Sequence, residues 1–472
     1  MGAYMRIYLK CTSWAVAALV AVAALAVLGA RPAASTPIVT KEGVLPPGTE
    51  LNAEPLDQPT ELFNFEIAGG KRSYLFNLGD MLFSSAAIIG GAAQKAGMSC
   101  NTCHQQGAGN AKLYVPGLSS RPGNFDTTGA LFNPKADNGV FDPVTPPSLR
   151  GAKNLGPYGH DGRMASLRDF VRNVIVNEFA GPEPSPQVLD ALVTYVNEIA
   201  FLPNPKLSAG GRLSAQASAA ARRGEVLFNT PFRHDPAMSC AGCHQPSGAF
   251  VDHKMHDIGS GGLFKTKTLI NANFNAPYFH DGRFDSYAQV VGYFDRHFDL
   301  GYTAAERADL VAYLEAVGDA ETPTTRNTLQ AELDELAAFV SVLDTAIPAR
   351  DREAITLTVD AVGNEWRELA ELFPGAKDTS VSGGLEERRR ARNAAGGLAL
   401  ALRRIAMAAE RNDFSAAERA YADYREQATM AAADLKRAEP WSLLNPAVHE
   451  AHFKALAQLN AIAGIADPSK YR

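Results

Sequence analysis

Two nearly identical stretches carry the residues best suited to chemistry. MSCNTCHQQG begins at Met98 and MSCAGCHQPS begins at Met238. Each places two cysteines three residues apart, with a histidine directly after the second, and together they use four of the five cysteines in the chain. Cysteines on one helical turn can each add across a haem vinyl group, and the following histidine can ligate the iron. The pattern therefore predicts two covalently bound haem c groups.

The predicted attachment residues are Cys100, Cys103 and His104 for the first haem, and Cys240, Cys243 and His244 for the second. Two other uses of CxxC were weighed against haem. A zinc site would need four soft ligands from both segments and would leave the paired histidines unexplained. A disulfide within each CxxC would close a small, strained ring of little structural value.

Both segments belong to a longer internal repeat. LGDMLFSS precedes the first segment and RRGEVLFNT the second, and a PYxHDGR turn follows each after a long loop. The turn histidines, His160 and His280, lie 120 residues apart, and each turn is followed by two helical stretches. We therefore predict a mainly α fold, with two tandem cytochrome c-like haem domains at residues 71–205 and 206–320.

Outside the repeat, the composition of the chain changes twice. Residues 321–472 are rich in Ala, Leu, Glu and Arg with helical periodicity, which predicts a C-terminal helical bundle of unknown role. The run EERRRAR at 386–392 is interpreted as a solvated helix face. Residues 36–70 are rich in Pro, Thr and Gly and are predicted to be a linker.

The first 35 residues have the pattern of a targeting segment. Arg6 and Lys10 precede an unbroken apolar run from Ser13 to Ala30, as in a secretory signal. The run is also long enough to remain as a membrane anchor, so both outcomes stay open. Because haem c is attached outside the bacterial inner membrane, we expect a periplasmic protein. The net charge of −6 argues against nucleic-acid binding.

The repeat resembles the bacterial di-haem cytochrome c peroxidase family, including its MauG-type members. The resemblance covers roughly residues 75–320, and NAPYFHDGRF, which begins at Asn275, is its most specific motif. It implies that hydrogen peroxide reacts at the N-terminal haem, while the C-terminal haem stores and relays an electron. The implied electron donor is a small cytochrome c, a cupredoxin or, in MauG-type members, a client protein.

The first domain departs from the family in two places. The family's removable histidine is missing, because residues 105–158 contain no histidine, so we expect the first haem to be open on its distal side. The family tryptophan between the haems corresponds to His160. His160 or Tyr158 would have to replace it, unless the electron crosses without a stepping residue.

The resemblance also implies roles for charged residues near the turns. The family's proton-shuttling glutamate corresponds to Glu178, in the helical stretch MASLRDFVRNVIVNEF. Arg163 and Arg283 are expected to pair with haem propionates or with the neighbouring Asp161 and Asp281.

The distal ligand of the second haem is left open. The family implies a methionine or tyrosine fourteen residues after the turn histidine, but Phe294 stands there and cannot ligate iron. The candidates, in order, are Tyr293 and His297, then His256, then Met255.

An inter-domain calcium ion is also typical of the family. Thr145 stands where the family has a ligating asparagine, although Pro277 keeps its place, so calcium stays open without support. The predicted function is an exported di-haem peroxidase. The alternatives are a di-haem electron-transfer cytochrome without peroxidase activity and an interaction protein whose bundle recruits a client.

Overall fold

The computed structural model describes residues 45–51, 59–321 and 328–462. The predicted leader, with its open choice between signal and anchor, lies outside these residues. The described part is mainly helical. Its named strands form a short antiparallel pair, β1 Met255–Asp257 and β2 Leu263–Lys265. Among the described helices, none combines the length and apolar content needed to cross a bilayer.

The first repeat, residues 71–205, is built from short helices with polar caps. The side chains of Ser73, Ser166 and Ser185 each accept a hydrogen bond from a backbone N–H in the first turn of the helix they precede. The helices of this repeat and of the segment before it are α1 Asn64–Ile67, α2 Tyr74–Ser84, α3 Gly91–Lys95, α4 Cys100–Cys103, α5 Leu167–Asn173, a π-helical turn Val174–Glu178, and α6 Pro186–Glu198.

The second repeat, residues 206–320, follows the same plan. Ser218, Ser286 and Thr303 cap its three longer helices. Its helices are α7 Ala219–Asn229, α8 Cys240–Cys243, α9 Tyr287–His297 and α10 Ala304–Gly318.

One helix crossing is repeated in both halves. Helix α2 packs on α6, and α7 packs on α10. A Cβ on Gly79 would lie 2.0 Å from the carbonyl oxygen of Ala191, and one on Gly224 would lie 2.0 Å from that of Asp309. Glycine is therefore required where the two helix backbones approach each other. The sequence repeat thus corresponds to a repeated packing arrangement.

The C-terminal bundle, residues 328–462, contains the longest helices. Within its core, Trp366 Nε1 donates a buried hydrogen bond to the Tyr424 hydroxyl at 2.7 Å. The helices are α11 Leu329–Val340, α12 Leu343–Ala346, α13 Arg352–Glu371, α14 Leu385–Glu410, α15 Phe414–Ala438 and α16 Pro446–Ile462.

The interpretation of EERRRAR as a solvated face is only partly right. Arg389 and Arg390 are exposed and pair with Glu386. Arg388 is buried instead, and donates to the carbonyl oxygens of Pro374 and Gly383, the latter at 3.0 Å. The guanidinium can be buried because these carbonyl oxygens accept its hydrogen bonds, which also hold the chain before α14 in place.

The described residues form two hydrophobic cores. The second core is built from the second repeat alone. The first core joins the first repeat to the bundle, with α11 and α13 packed against α2. It also contains Leu45, Leu51 and Phe63, from the segment predicted to be a linker. These apolar side chains are buried although the Pro- and Gly-rich backbone around them is largely irregular.

The two repeats meet at their turns. The Thr145 N–H donates to the His280 carbonyl oxygen at 2.7 Å, and the Lys265 N–H donates to the His160 carbonyl oxygen at 2.8 Å. In each case the donor belongs to one repeat and the acceptor to the other. The two repeats are thus joined by a reciprocal pair of backbone hydrogen bonds.

Candidate functional site

A cavity of about 700 Å³ opens onto the first CxxCH segment. Its lining is largely apolar and includes Cys100, Cys103 and His104, with Phe83 and Phe125 among the aromatic residues. Residues 264–268 and 277–279 of the second repeat form part of the same wall. The size and lining are those of a cofactor or ligand pocket.

His104 is prepared to act as a metal ligand. Its Nδ1 donates to the Pro147 carbonyl oxygen at 2.9 Å, which leaves Nε2 with a free lone pair. Burial lowers the pKa of His104 to about 4, so the imidazole is neutral. A neutral imidazole oriented through its other nitrogen is the form that ligates haem iron.

The second CxxCH segment has the same arrangement. His244 Nδ1 donates to the Phe250 carbonyl oxygen at 3.2 Å, and burial lowers the pKa of His244. Phe228 lies 6.3 Å from the His244 ring, as Phe83 lies 6.4 Å from His104. All four CxxCH cysteines are free thiols, so the disulfides weighed above do not form. Both segments therefore fit covalent haem attachment.

Glu178 lies on the wall of the first cavity. Its Oε1 accepts hydrogen bonds from Arg163 at 2.7 Å and from Asn173 at 3.1 Å. Burial raises the pKa of Glu178, and the Arg163 charge acts in the opposite direction. Burial raises the pKa of the Cys103 thiol, and the Cys100 and Glu178 charges act in the same direction. The residue chosen as proton shuttle thus shares a cavity with the first CxxCH.

The two turn arginines form the ion pairs that were one of their expected roles. Arg163 pairs with Asp161 at 3.1 Å, and Arg283 pairs with Asp281 at 2.7 Å. Their remaining contacts differ, because Arg163 reaches Glu178 whereas Arg283 donates to the Ser260 carbonyl oxygen at 2.8 Å. Pairing with haem propionates stays a prediction.

A model of the di-haem cytochrome c peroxidase family matches residues 218–357, which include the second CxxCH segment and its turn. The match covers less than a third of the chain, and within it the chain is similar to the di-haem cytochrome c peroxidase family. The resemblance seen in the sequence is thereby confirmed. The similarity supports an oxidoreductase function and haem c as the cofactor.

A curated relative is the hydrazine synthase subunit gamma of Kuenenia stuttgartiensis. It is 26% identical over 223 residues, which cover 44% of this chain and 54% of that protein. The chain thus spans about half the length of this relative. A solved structure of the K. stuttgartiensis hydrazine synthase, pressurised with 20 bar xenon, covers 56% of this chain and 95% of its own at 22% identity, with a TM-score of 0.38.

Both residues considered in place of the family tryptophan line the first cavity. His160 is buried, and its Nε2 donates to the Thr145 carbonyl oxygen at 2.7 Å. Its Nδ1 has no hydrogen-bond partner among the described residues. Burial and the nearby Lys267 charge hold the pKa of His160 well below its usual range, so it is neutral. Tyr158 donates its hydroxyl to the Ala152 carbonyl oxygen at 3.3 Å.

The candidate ligands of the second haem fall into two places. Tyr293 and His297 stack in parallel with ring centroids 5.8 Å apart, and the Tyr293 hydroxyl donates to the Ile258 carbonyl oxygen at 2.6 Å. His256 lies beside the CxxCH, because its ligand atom, the Cys243 Sγ and an Asp252 carboxylate oxygen all lie within 4.8 Å of one another. His256 Nε2 also pairs with Asp252 Oδ2 at 2.7 Å.

Met255, the last candidate ligand of the second haem, and Thr145, the candidate calcium ligand, both have other surroundings. Met255 is exposed on β1, and its Sδ faces Gly162 of the first turn. Thr145, considered for calcium, donates its hydroxyl to the Phe279 carbonyl oxygen at 3.2 Å. The hydroxyl is therefore already part of the contact between repeats, and calcium stays open without support.

Sequence reasoning missed two residues of the first cavity. Asn173 helps to hold Glu178, and Lys267 of the second repeat lines the same cavity. The signal for Lys267 was present, because it lies thirteen residues before His280, just as Pro147 lies thirteen residues before His160. Comparing the two repeats position by position would have found it.

Proposed function

We propose that the chain is an exported di-haem c-type peroxidase that reduces hydrogen peroxide at the haem held by Cys100, Cys103 and His104. The observation that carries the proposal is the position of Glu178. A buried carboxylate, held by Arg163, lies on the wall of the cavity that the first CxxCH opens onto. A pure electron carrier has no use for a proton acceptor in that place.

A haem bound there would supply the iron that binds peroxide and the electrons that reduce it to two waters. The chain's own residues would manage the protons. The unprotonated Glu178 would take a proton from the bound peroxide and return it to the departing oxygen, which leaves as water. Arg163 and Asn173 hold the carboxylate through Oε1 at 2.7 and 3.1 Å, so the group is preorganised.

The second haem, held by Cys240, Cys243 and His244, would supply electrons to the first. The donor would be a small cytochrome c or a cupredoxin or, in a MauG-like version, a client protein. The contact between the turns supports such a relay, since backbone hydrogen bonds join the two repeats there. Export to the periplasm is part of the proposal and is supported by the leader pattern.

A second candidate is an electron-transfer cytochrome with no peroxidase activity. The observation in its favour is the aromatic, polar-poor surrounding of Tyr293 and His297, which suits a closed haem. An electron-transfer function would account for the surroundings of the second haem, but it would not explain why Glu178 lies at the first cavity. Recruitment of a client through the bundle remains a further proposal.

Spectroscopy of the purified full chain tests the proposal. The resting ferric protein is expected to show one high-spin and one low-spin haem, and one equivalent of peroxide is expected to oxidise the protein by two electrons. Two low-spin haems that do not react with peroxide in any redox state would favour the carrier instead. The pyridine haemochrome assay and intact mass give the number of attached haems.

A further inference from the structure

A lysine of the second repeat lines the cavity of the first. Lys267 lies on the cavity wall that also contains the first CxxCH segment. His160 lines the same cavity, and its pKa is lowered first by burial and then by the Lys267 charge. Burial and the like charge of Lys265 lower the pKa of Lys267 itself to about 7.

Lys267 differs from its neighbour in its contacts. The Lys265 ammonium donates to the carbonyl oxygens of Leu155 and Pro157, both at 2.7 Å. No hydrogen bond or ion pair joins the Lys267 ammonium to another group in the part of the chain that the structure describes. Lys267 is partly exposed to the cavity, and a cation shielded from bulk water without an anionic partner is costly. The side chain is therefore suited to an anion that enters this cavity.

The internal repeat shows that the fold does not need a lysine here. The equivalent position in the first repeat is Pro147, which contributes its carbonyl oxygen to His104. Backbone geometry alone serves that purpose, since proline has no polar side chain. The lysine side chain at 267 is thus an addition made only in the second repeat.

We propose that the Lys267 ammonium binds a carboxylate on the edge of the haem held by the first repeat. The inference rests on the haem attachment of the proposed function and adds a positioning residue that comes from the other repeat. Haem carries two carboxylates, and the rest of its edge is apolar like most of this cavity. A bound carboxylate favours the protonated form of Lys267, and a positive charge beside the haem favours the reduced iron, so Lys267 raises the reduction potential of the first haem.

The test compares K267M and K267R in the full chain by potentiometric titration followed by absorption. K267M is expected to lower the midpoint potential of the first haem, and K267R to restore it to the wild-type value. Resonance Raman is expected to show a shifted carboxylate bending mode in K267M alone. The matched control is K254M, because Lys254 is an exposed lysine of the same segment.

An unchanged first-haem potential in K267M, or an equal shift in K254M, would overturn the inference. If K267M fails to take up haem, K267Q, which keeps a polar side chain, gives the same comparison of potentials. The outcome is separate from that of the proposed function. A wild-type protein that holds two haems but is inert to peroxide refutes the peroxidase, while the potentials still decide the role of Lys267.

Discussion

The helix that follows each turn shows how the two haem sites differ. Aligned on their capping serines, Asn173 and Glu178 of the first repeat correspond to Tyr293 and Phe298 of the second. The first pair forms a hydrogen-bonded acid group at the cavity wall, whereas the second belongs to an aromatic cluster. Nearly identical attachment segments thus face different surroundings, which is the difference on which the proposed division between a reacting haem and a conducting haem rests.

The backbone of these helices differs as well. The first ends in a π-helical turn, Val174–Glu178, whereas α9 stays α-helical to His297. A π turn contains one extra residue and redirects the side chains after it, and such turns occur often at functional sites. We infer that this turn is what brings Glu178 to Arg163.

The largest expected difference between the repeats concerns their dependence on the bundle. A chain ending at Asp319 is expected to lose the fold of the first repeat and to keep that of the second, because only the first core includes bundle residues. Each fully buried Leu, Ile or Phe contributes about 1.5–3 kcal/mol, so losing several exceeds a typical stability of about 5–15 kcal/mol. Limited proteolysis with mass spectrometry measures the outcome.

The control for this truncation is a chain ending at Asn445, which keeps α11 to α15. Equal protease resistance of both repeats in the Asp319 chain would show that the first repeat folds alone.

The next largest effect is expected from E178Q. Loss of the carboxylate should lower the rate constant for reaction with peroxide by about 10²–10⁴-fold, the usual contribution of a positioned acid–base group. Stopped-flow absorption at the first haem measures it, and the spectrum of the second haem should not change. E183Q is the matched control, because Glu183 is exposed and pairs with Arg172. Equal rates in E178Q and wild type would remove Glu178 from the mechanism.

The shared helix crossing predicts the same cost in both repeats. G79A and G224A should each lower the free energy of unfolding by about 1–3 kcal/mol, because the added methyl meets a backbone carbonyl. Denaturant titration measures the change. G210A is the control, since a Cβ on Gly210 meets nothing within 4 Å. A neutral result in one repeat alone would show that the two crossings are not equivalent.

The distal ligand of the second haem can be identified by replacing its candidate ligands one at a time. H297L is expected to convert the second haem from low to high spin, because no described group hydrogen-bonds to the His297 ring, whereas the Tyr293 hydroxyl is engaged by Ile258. Electron paramagnetic resonance reports the change, with the exposed His234, replaced as H234L, as control. Conversion in Y293F but not in H297L would assign the ligand to Tyr293 instead.

The smallest effect is expected in the pH dependence. Glu178 must be unprotonated to accept a proton, so activity falls as the pH drops through its pKa. Arg163 holds that pKa down, and R163M should therefore raise it and move the acid limb of the rate profile to higher pH. R283M should leave the limb unchanged, since Arg283 contacts Asp281 and Ser260 rather than a cavity acid. Identical shifts in both variants would contradict this assignment.

The sequence predicted the parts of the site that depend on local patterns. CxxCH and the PYxHDGR turn rest on short spacings, whereas Glu178 was implied by the family resemblance. The structure brings the first CxxCH and Glu178 to one cavity. Contacts between distant segments were not accessible. Comparison of the repeats marks position 267 as unusual, but nothing in the sequence places its side chain in the cavity of the other repeat or shows that the bundle shares a core with α2.

The paired hydrogen bonds between the turns have the form of a two-fold symmetric interface. Thr145 and Lys265 are equivalent positions, as are His160 and His280, and each donor meets the acceptor of the other repeat. An interface in which i contacts j while j contacts i is isologous, and it closes on itself. The two repeats therefore meet as the subunits of a homodimer do, joined here in one polypeptide. Because the two halves share a chain, their sequences are free to diverge, which a true homodimer does not allow.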